Sequence, residues 1–261
     1  MDTVAIACFD GFDELDAIGP YEVFENAARF GAAWDVTLRS VRDSDTVTAS
    51  HGLRVEPDGL LADVTPDLLV VAGGGWNDRS EAGVWTETER GDLPDAVAAA
   101  HDRGATVAGV CTGGMVLSRA GLLDGRPAVT HGGAIEDLRA TDATVVDARV
   151  VDDDDVLTCG GVTSGLDLAV HLVEREWGAD VAAAVCEEME YELRRGLPRR
   201  IGVKRGIRRS RGRRRAAPAR RRPRRFHCSQ WRRRRWPSTG GRCRHSSASG
   251  RRRRSSRRTA R

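Results

Sequence analysis

Apolar residues in this chain follow two rhythms. Short unbroken runs at 3–9, 67–72 and 105–110 are rich in Val, Ala and Leu. Runs of that length fit strands buried on both faces, as in a parallel sheet. Between them lie stretches with a helical period. Val23, Phe24, Ala27, Ala28 and Phe30 give one such stripe. Gly19-Pro20 predicts its start, because proline is tolerated in a first turn where its missing N–H would be unpaired anyway, and Gly31 predicts its end. Helical patterns recur at 93–103, 115–120, 134–140, 164–177 and 179–191, and further strands are expected at 34–41, 53–55, 145–151 and 156–158. Strands alternating with helices predict an α/β layer fold around a mostly parallel sheet. In such sheets the chemistry collects at the carboxyl ends of the strands. Three of those ends lead into unusual loops, at 10–19, 73–78 and 109–113.

The last of these is Gly109-Val110-Cys111-Thr112-Gly113. A strand, a sharp turn and a helix, with a nucleophile two residues from a glycine on either side, is the nucleophile-elbow pattern with Cys in place of Ser. The helix that follows points its free N–H groups at the sulfur, which predicts a thiolate. A buried Cys that packs as a small hydrophobe would fit the same pentapeptide. The glycine run Gly73-Gly74-Gly75 ends the preceding strand and offers amides that can approach a substrate closely.

Charge divides the chain. Residues 1–196 hold all 38 acidic residues, 14 arginines and no lysine, a formal charge of −24. Residues 197–261 hold the other basic residues and no acid. The first segment is long enough for one domain with a real core. Its composition resembles that of cytosolic proteins from salt-loving organisms, where salt screens self-repulsion. No leader or apolar span near membrane length is visible, so a cytoplasmic protein without membrane contact is expected. Cys8, Cys111, Cys159 and Cys186 show no paired spacing and read as reduced thiols. Asp152 to Asp155 reads as a solvated acidic turn. The arginine-rich tail is expected to be disordered. It reads either as an arm that binds nucleic acid through phosphates or, the reading adopted here, as an out-of-frame translation. Shifted GC-rich codons for Asp, Ala and Val become arginine codons and leave no acids.

Several segments in order resemble one known family. LDAIGPYEVF at 15–24, VAGGG at 71–75, VCTGG at 110–114, AGLLDGRPAVTH at 120–131 and GGVTSGLDLAVHLVE at 160–174 are similar to the ThiJ/PfpI superfamily of class I glutamine amidotransferase-like proteins. The pairing of LDxxGP with CTG looks most like its isonitrile hydratase-like subgroup and the sensor domains of certain regulators. The resemblance implies a flavodoxin-like α/β sandwich, usually a homodimer. It implies Cys111 as nucleophile, Asp16 as the carboxyl group facing it, Thr112 beside it, and the N–H groups of Gly74 and Thr112 as oxyanion donors, with Gly73 adjoining.

His131 is expected near the pocket. Glu22, one turn into the first helix, is a weaker candidate. Branches with protease or glyoxalase chemistry carry His directly after the nucleophile. Here that residue is Thr112, which argues against a Cys–His dyad. Gly132-Gly133 follow His131 where the family often has Trp, which would reshape the pocket. The function expected is hydration of a small carbon–nitrogen substrate, an isonitrile to an N-substituted formamide, with no metal or organic cofactor. The alternatives are a cysteine redox or ligand-sensing module, and a glyoxalase or deglycase.

Overall fold

The computed structural model describes residues 1–193, all within one compact unit. The segment 197–261 and its reading as an out-of-frame tail lie outside the described residues.

In chain order the elements are β1 (Thr3–Cys8), α1 (Glu14–Arg29), β2 (Asp35–Ser40), β3 (Val47–Thr48), β4 (Arg54–Val55), β5 (Leu68–Val71), α2 (Val84–Arg90), α3 (Asp92–Asp102), β6 (Thr106–Gly109) and α4 (Gly113–Arg119). There follow β7 (Pro127–Ala128), α5 (Ile135–Arg139), β8 (Thr144–Val145), β9 (Val150–Asp153), β10 (Val156–Cys159), α6 (Ser164–Trp177) and α7 (Ala179–Glu188). The main sheet has the order β2-β1-β5-β6-β10-β9. Every pairing in it is parallel except that of the edge strand β9 with β10. Helices cover both sides: α1, α6 and α7 pack together, and α2, α3 and α4 pack together. This is the flavodoxin-like sandwich with a mostly parallel central sheet that the sequence predicts.

Strands β5, β6 and β10 are buried at every position because both faces are covered. Ile6, Leu68, Leu69, Val107 and Leu157 are all fully buried. Each such side chain contributes about 1.5–3 kcal/mol of burial free energy. On one face, Trp34 stands edge-on to Phe24 of α1 and to Trp177 of α6, with ring centroids 5.0 and 6.0 Å apart. That aromatic cluster fastens α1 and α6 side by side.

Three local expectations are corrected. Helix α1 begins at Glu14, ahead of the Gly19-Pro20 start, and Pro20 lies inside it. Asp13 caps the helix by accepting the Leu15 N–H at 3.2 Å. An interior proline costs the helix one hydrogen bond. Tertiary packing offsets it, since Gly19 and Pro20 are buried and lie close against Leu166 and Gly165 of α6. The consequence is functional, because Asp16 now sits in the first turn of a helix and not in a loop. The acidic turn at 152–155 is not merely solvated. Asp152 meets His171 at 2.7 Å and Arg175 at 3.4 Å, and Asp155 meets Arg126 at 2.5 Å and His101 at 3.0 Å. The turn clasps the edge strands to α3 and α6. The strand expected at 145–151 is divided into β8 and β9. Cys8, Cys111, Cys159 and Cys186 are free thiols.

Candidate active site

Four parallel strands, β1, β5, β6 and β10, end on the same edge of the sheet, and the chain after each contributes to one cluster around Cys111. After β1 comes α1 with Asp16. After β5 comes Gly73-Gly74. After β6 comes the elbow at Cys111, and after β10 comes the loop Gly160-Gly161-Val162-Thr163.

Cys111 has a φ of 56°, in the left-handed region that non-glycine residues seldom occupy. Its backbone is held from both sides. The Cys111 N–H donates to the Gly160 carbonyl at 3.2 Å, and the Thr130 hydroxyl donates to the Cys111 carbonyl at 2.8 Å. The side chain is 5% exposed. The N–H groups of Val162 and Thr112 are both directed at its sulfur.

Asp16 is fully buried against Cys111. Its Oδ2 accepts the Gly73 N–H at 3.1 Å, while Oδ1 has no hydrogen-bond partner within the protein. Burial pushes its carboxyl up to about 8, helped by the charge of Asp13 and opposed by bonds from the Cys111 thiol and the Gly73 amide. The carboxyl group is therefore protonated over much of the neutral range. The main cause is desolvation.

The thiolate expectation is itself corrected. Burial, reinforced by Asp16, pushes the Cys111 thiol up to about 12, and the amides of Val162 and Thr112 offset only part of this. Helix α4 has seven residues, and its end effect does not outweigh the loss of solvent. The resting site is a thiol beside a carboxylic acid.

Gly73 permits this packing. A Cβ built there would lie 2.6 Å from the Thr112 nitrogen and 2.8 Å from Asp16 Oδ2. Thr112, 2% exposed, accepts the Gly74 N–H on its Oγ1 at 2.9 Å. The two glycine amides thus hold Asp16 and the Thr112 hydroxyl. In this structure the Gly74 amide is committed to Thr112 and does not face an open oxyanion position.

His131 caps the short 3-10 turn Gly132–Ala134: its Nδ1 accepts the Gly133 N–H at 3.0 Å and lies 3.2 Å from Asn77 Nδ2. Glu22 is not brought to Cys111. It is exposed on α1, six residues from Asp16 and so on another side of the helix.

Val162 escapes a reading of the sequence. Its φ of 43° is a genuine outlier for a β-branched residue, and it is what turns the amide towards the sulfur. The glycine pair before it, at a fourth strand end, was the available signal.

A separate cleft of about 750 Å³ runs along the same edge, lined by Asp10, Gly11, Ser50, His51, Gly75 and Glu81 among others, and its lining includes neither Cys111 nor Asp16. Beside it, Asp13, Glu14 and His51 offer ligand atoms within 4.8 Å of one another. Those donors are already engaged: Asp13 caps α1, and Glu14 Oε2 binds His51 Nδ1 at 2.6 Å.

Among the described residues no helix is long and apolar enough to cross a membrane. Comparison with known proteins agrees with the geometry. The isonitrile hydratase of Pseudomonas putida is 33% identical over 190 residues, covering 72% of this chain and 78% of that protein. The HTH-type transcriptional regulator GbdR of Pseudomonas aeruginosa is 32% identical over 153 residues, covering 58% of this chain but 40% of the regulator. A solved ThiJ/PfpI family protein from Pseudomonas syringae matches the fold with a TM-score of 0.66 at 24% identity, over 73% of this chain and 75% of the other. The model of the DJ-1/PfpI family matches residues 2–175. A cysteine elbow at the carboxyl edge of a parallel sheet and a family match across most of the described residues lead to one conclusion: the chain belongs to the DJ-1/PfpI family.

Proposed function

We propose that this protein is a cysteine-dependent hydratase that converts a small isonitrile to an N-substituted formamide. The observation that carries the reading is the Cys111–Asp16 pair, a buried thiol against a carboxyl group whose proton is held up to about 8. Identity of 33% to an isonitrile hydratase over 78% of its length supports the choice of substrate class.

The terminal carbon of an isonitrile carries a lone pair and accepts nucleophiles, so it needs a proton and a sulfur together. Asp16 gives its proton to that carbon as the Cys111 sulfur bonds to it, and the thiol proton passes to Asp16. The net result is addition of S–H across the carbon, giving a thioimidate. The amides of Val162 and Thr112 support the sulfur as charge develops on it. Asp16 then gives its proton to the nitrogen and takes one from the water that adds to the same carbon. The carbon–sulfur bond breaks, Cys111 recovers its proton, and the formamide leaves. One isonitrile and one water are consumed. No step calls on a metal or organic cofactor.

The test is product formation from a panel of isonitriles such as cyclohexyl isocyanide, with wild type, Cys111→Ala and Asp16→Asn side by side. Turnover by wild type and loss in both variants supports the reading. Absence of any formamide with wild type across the panel overturns it.

A second reading, a ligand-sensing module, draws on the similarity to GbdR over 153 residues. It predicts tight binding of a small molecule without turnover. The homodimer implied by the family resemblance belongs to both readings and is tested by light scattering.

A further inference from the structure

His131 is held by two contacts on one nitrogen. The Gly133 N–H points at Nδ1 at 3.0 Å, and the Asn77 side-chain amide lies 3.2 Å from the same atom. A backbone N–H can only donate, so Nδ1 must be an acceptor. In the neutral ring the proton then sits on Nε2. The far side of the ring lies over Gly161: a Cβ built there would be 2.4 Å from His131 Cδ2 and 3.3 Å from Nε2. Gly161 adjoins Val162, whose amide faces the Cys111 sulfur. The Nε2 edge of the ring therefore lies beside the loop whose amide faces the Cys111 sulfur.

Asn77 comes from a different part of the chain, the segment after the Gly73–Gly75 run. That segment is tied down at two adjacent points. Trp76 Nε1 donates to Asp137 Oδ2 at 2.7 Å, and Asn77 meets His131. The fit is close, since a Cβ on Gly133 would lie 2.8 Å from Asn77 Nδ2. The absence of a Cβ at Gly133 is what admits the asparagine.

We propose that Asn77 is a positioning residue that, with the Gly133 amide, fixes His131 as an Nε2–H donor directed at the substrate nitrogen beside Cys111. The assignment of a substrate nitrogen rests on the hydratase reading, but the tautomer does not. In that reaction the carbon is served by Asp16 and Cys111, and the nitrogen needs a separate hydrogen-bond donor as water adds. A single fixed tautomer supplies it without reorganisation.

The test is the imidazole nitrogen-15 spectrum of the full chain at neutral pH, with the His131 signals assigned by their loss in His131→Gln. Wild type should show the Nε2–H tautomer alone. Asn77→Leu, which keeps bulk and removes the donor, should show a mixture of tautomers, and Asn77→Gln should restore the single form at least in part. A wild-type ring protonated on Nδ1, or an unchanged Nε2–H form in Asn77→Leu, overturns the proposal. Should Asn77→Leu fail to fold by circular dichroism, Asn77→Ala, which also removes the donor, takes its place. If isonitrile turnover is found, Asn77→Leu should lower kcat about tenfold with KM little changed, the effect of one hydrogen bond realised in the transition state. The spectrum reads the resting protein, so failure of the hydratase reading and failure of this one are told apart.

Discussion

The carboxyl group of Asp16 and the thiol of Cys111 stand side by side, both buried, and act on each other in opposite senses. Burial raises both groups. Asp16 raises the thiol further, while the thiol's bond to Asp16 pulls the carboxyl part of the way back down.

Replacing Asp16 by Asn removes one side of that relation while keeping the shape. In Asp16→Asn the Cys111 thiol should titrate below its wild-type value of about 12, because the nearby carboxylate no longer opposes ionisation. Ultraviolet thiolate absorbance against pH measures this. Peroxide oxidation of Cys111 should accelerate in the variant, while isonitrile turnover should fall at least ~100-fold with loss of the proton donor. An unmoved thiol titration would mean that the two groups do not interact.

The same carboxyl group makes stability depend on pH in an unusual direction. In the unfolded chain Asp16 loses its proton near 3.8, and in the folded protein near 8. Between those values the folded state binds the extra proton, so stability falls as pH rises from about 4 to about 8. Urea midpoints across this range should decline in wild type, and the Asp16 share of the decline should vanish in Asp16→Asn. The comparison matters because His51, raised by its contact with Glu14, also contributes stability that is lost as pH rises. Equal slopes in the two proteins would count against a buried, protonated Asp16.

Glu14 predicts the opposite limb. Burial works against its charge, but the His51 ring and the amides of Glu14, His51 and Leu53 outweigh it and hold the carboxylate down at about 2. The stability this brings is present above the unfolded value near 4.5 and is lost as pH falls towards 2. Glu14→Gln should cost about 1–2 kcal/mol at neutral pH and flatten the acid limb of the urea midpoints. It should also loosen the turn at 49–52, which hydrogen exchange of the Leu53 amide would detect.

Gly73→Ala should be poorly tolerated. Its methyl group would press on the Thr112 nitrogen and on Asp16 Oδ2, and both are fixed within the core. A loss of about 1–3 kcal/mol is expected for overpacking at a site that cannot give, together with loss of any turnover. Thermal unfolding and the isonitrile assay check this. A fully active, fully stable Gly73→Ala would show that the contact between β5 and the elbow is looser than described.

Much of this was legible in the residues. Unbroken apolar runs located the strands, and their order with the helices gave the layered fold. The Gly-x-Cys-x-Gly spacing marked the sharp turn at Cys111, and the family resemblance carried by LDxxGP pointed to Asp16, which lies buried against it. Three features were not legible, for physical reasons. The start of α1 was masked by Pro20, whose cost is offset by packing against α6 that no local pattern reveals. Helix α2 has a weak apolar stripe and stands because Glu87, almost fully buried, pairs with Arg42 across 45 residues of chain. The acidity of Cys111 was misjudged because a helix end is visible in sequence and the depth of burial is not.

That depth changes what kind of reagent the protein carries. In the unfinished chain Cys111 is an ordinary thiol near 9, open to any oxidant or electrophile. Once the chain after β10 closes over it, the sulfur stays protonated and nearly sealed at 5% exposure. Folding thus works as a safety catch. Passing oxidants and electrophiles therefore meet a shielded thiol and not a thiolate.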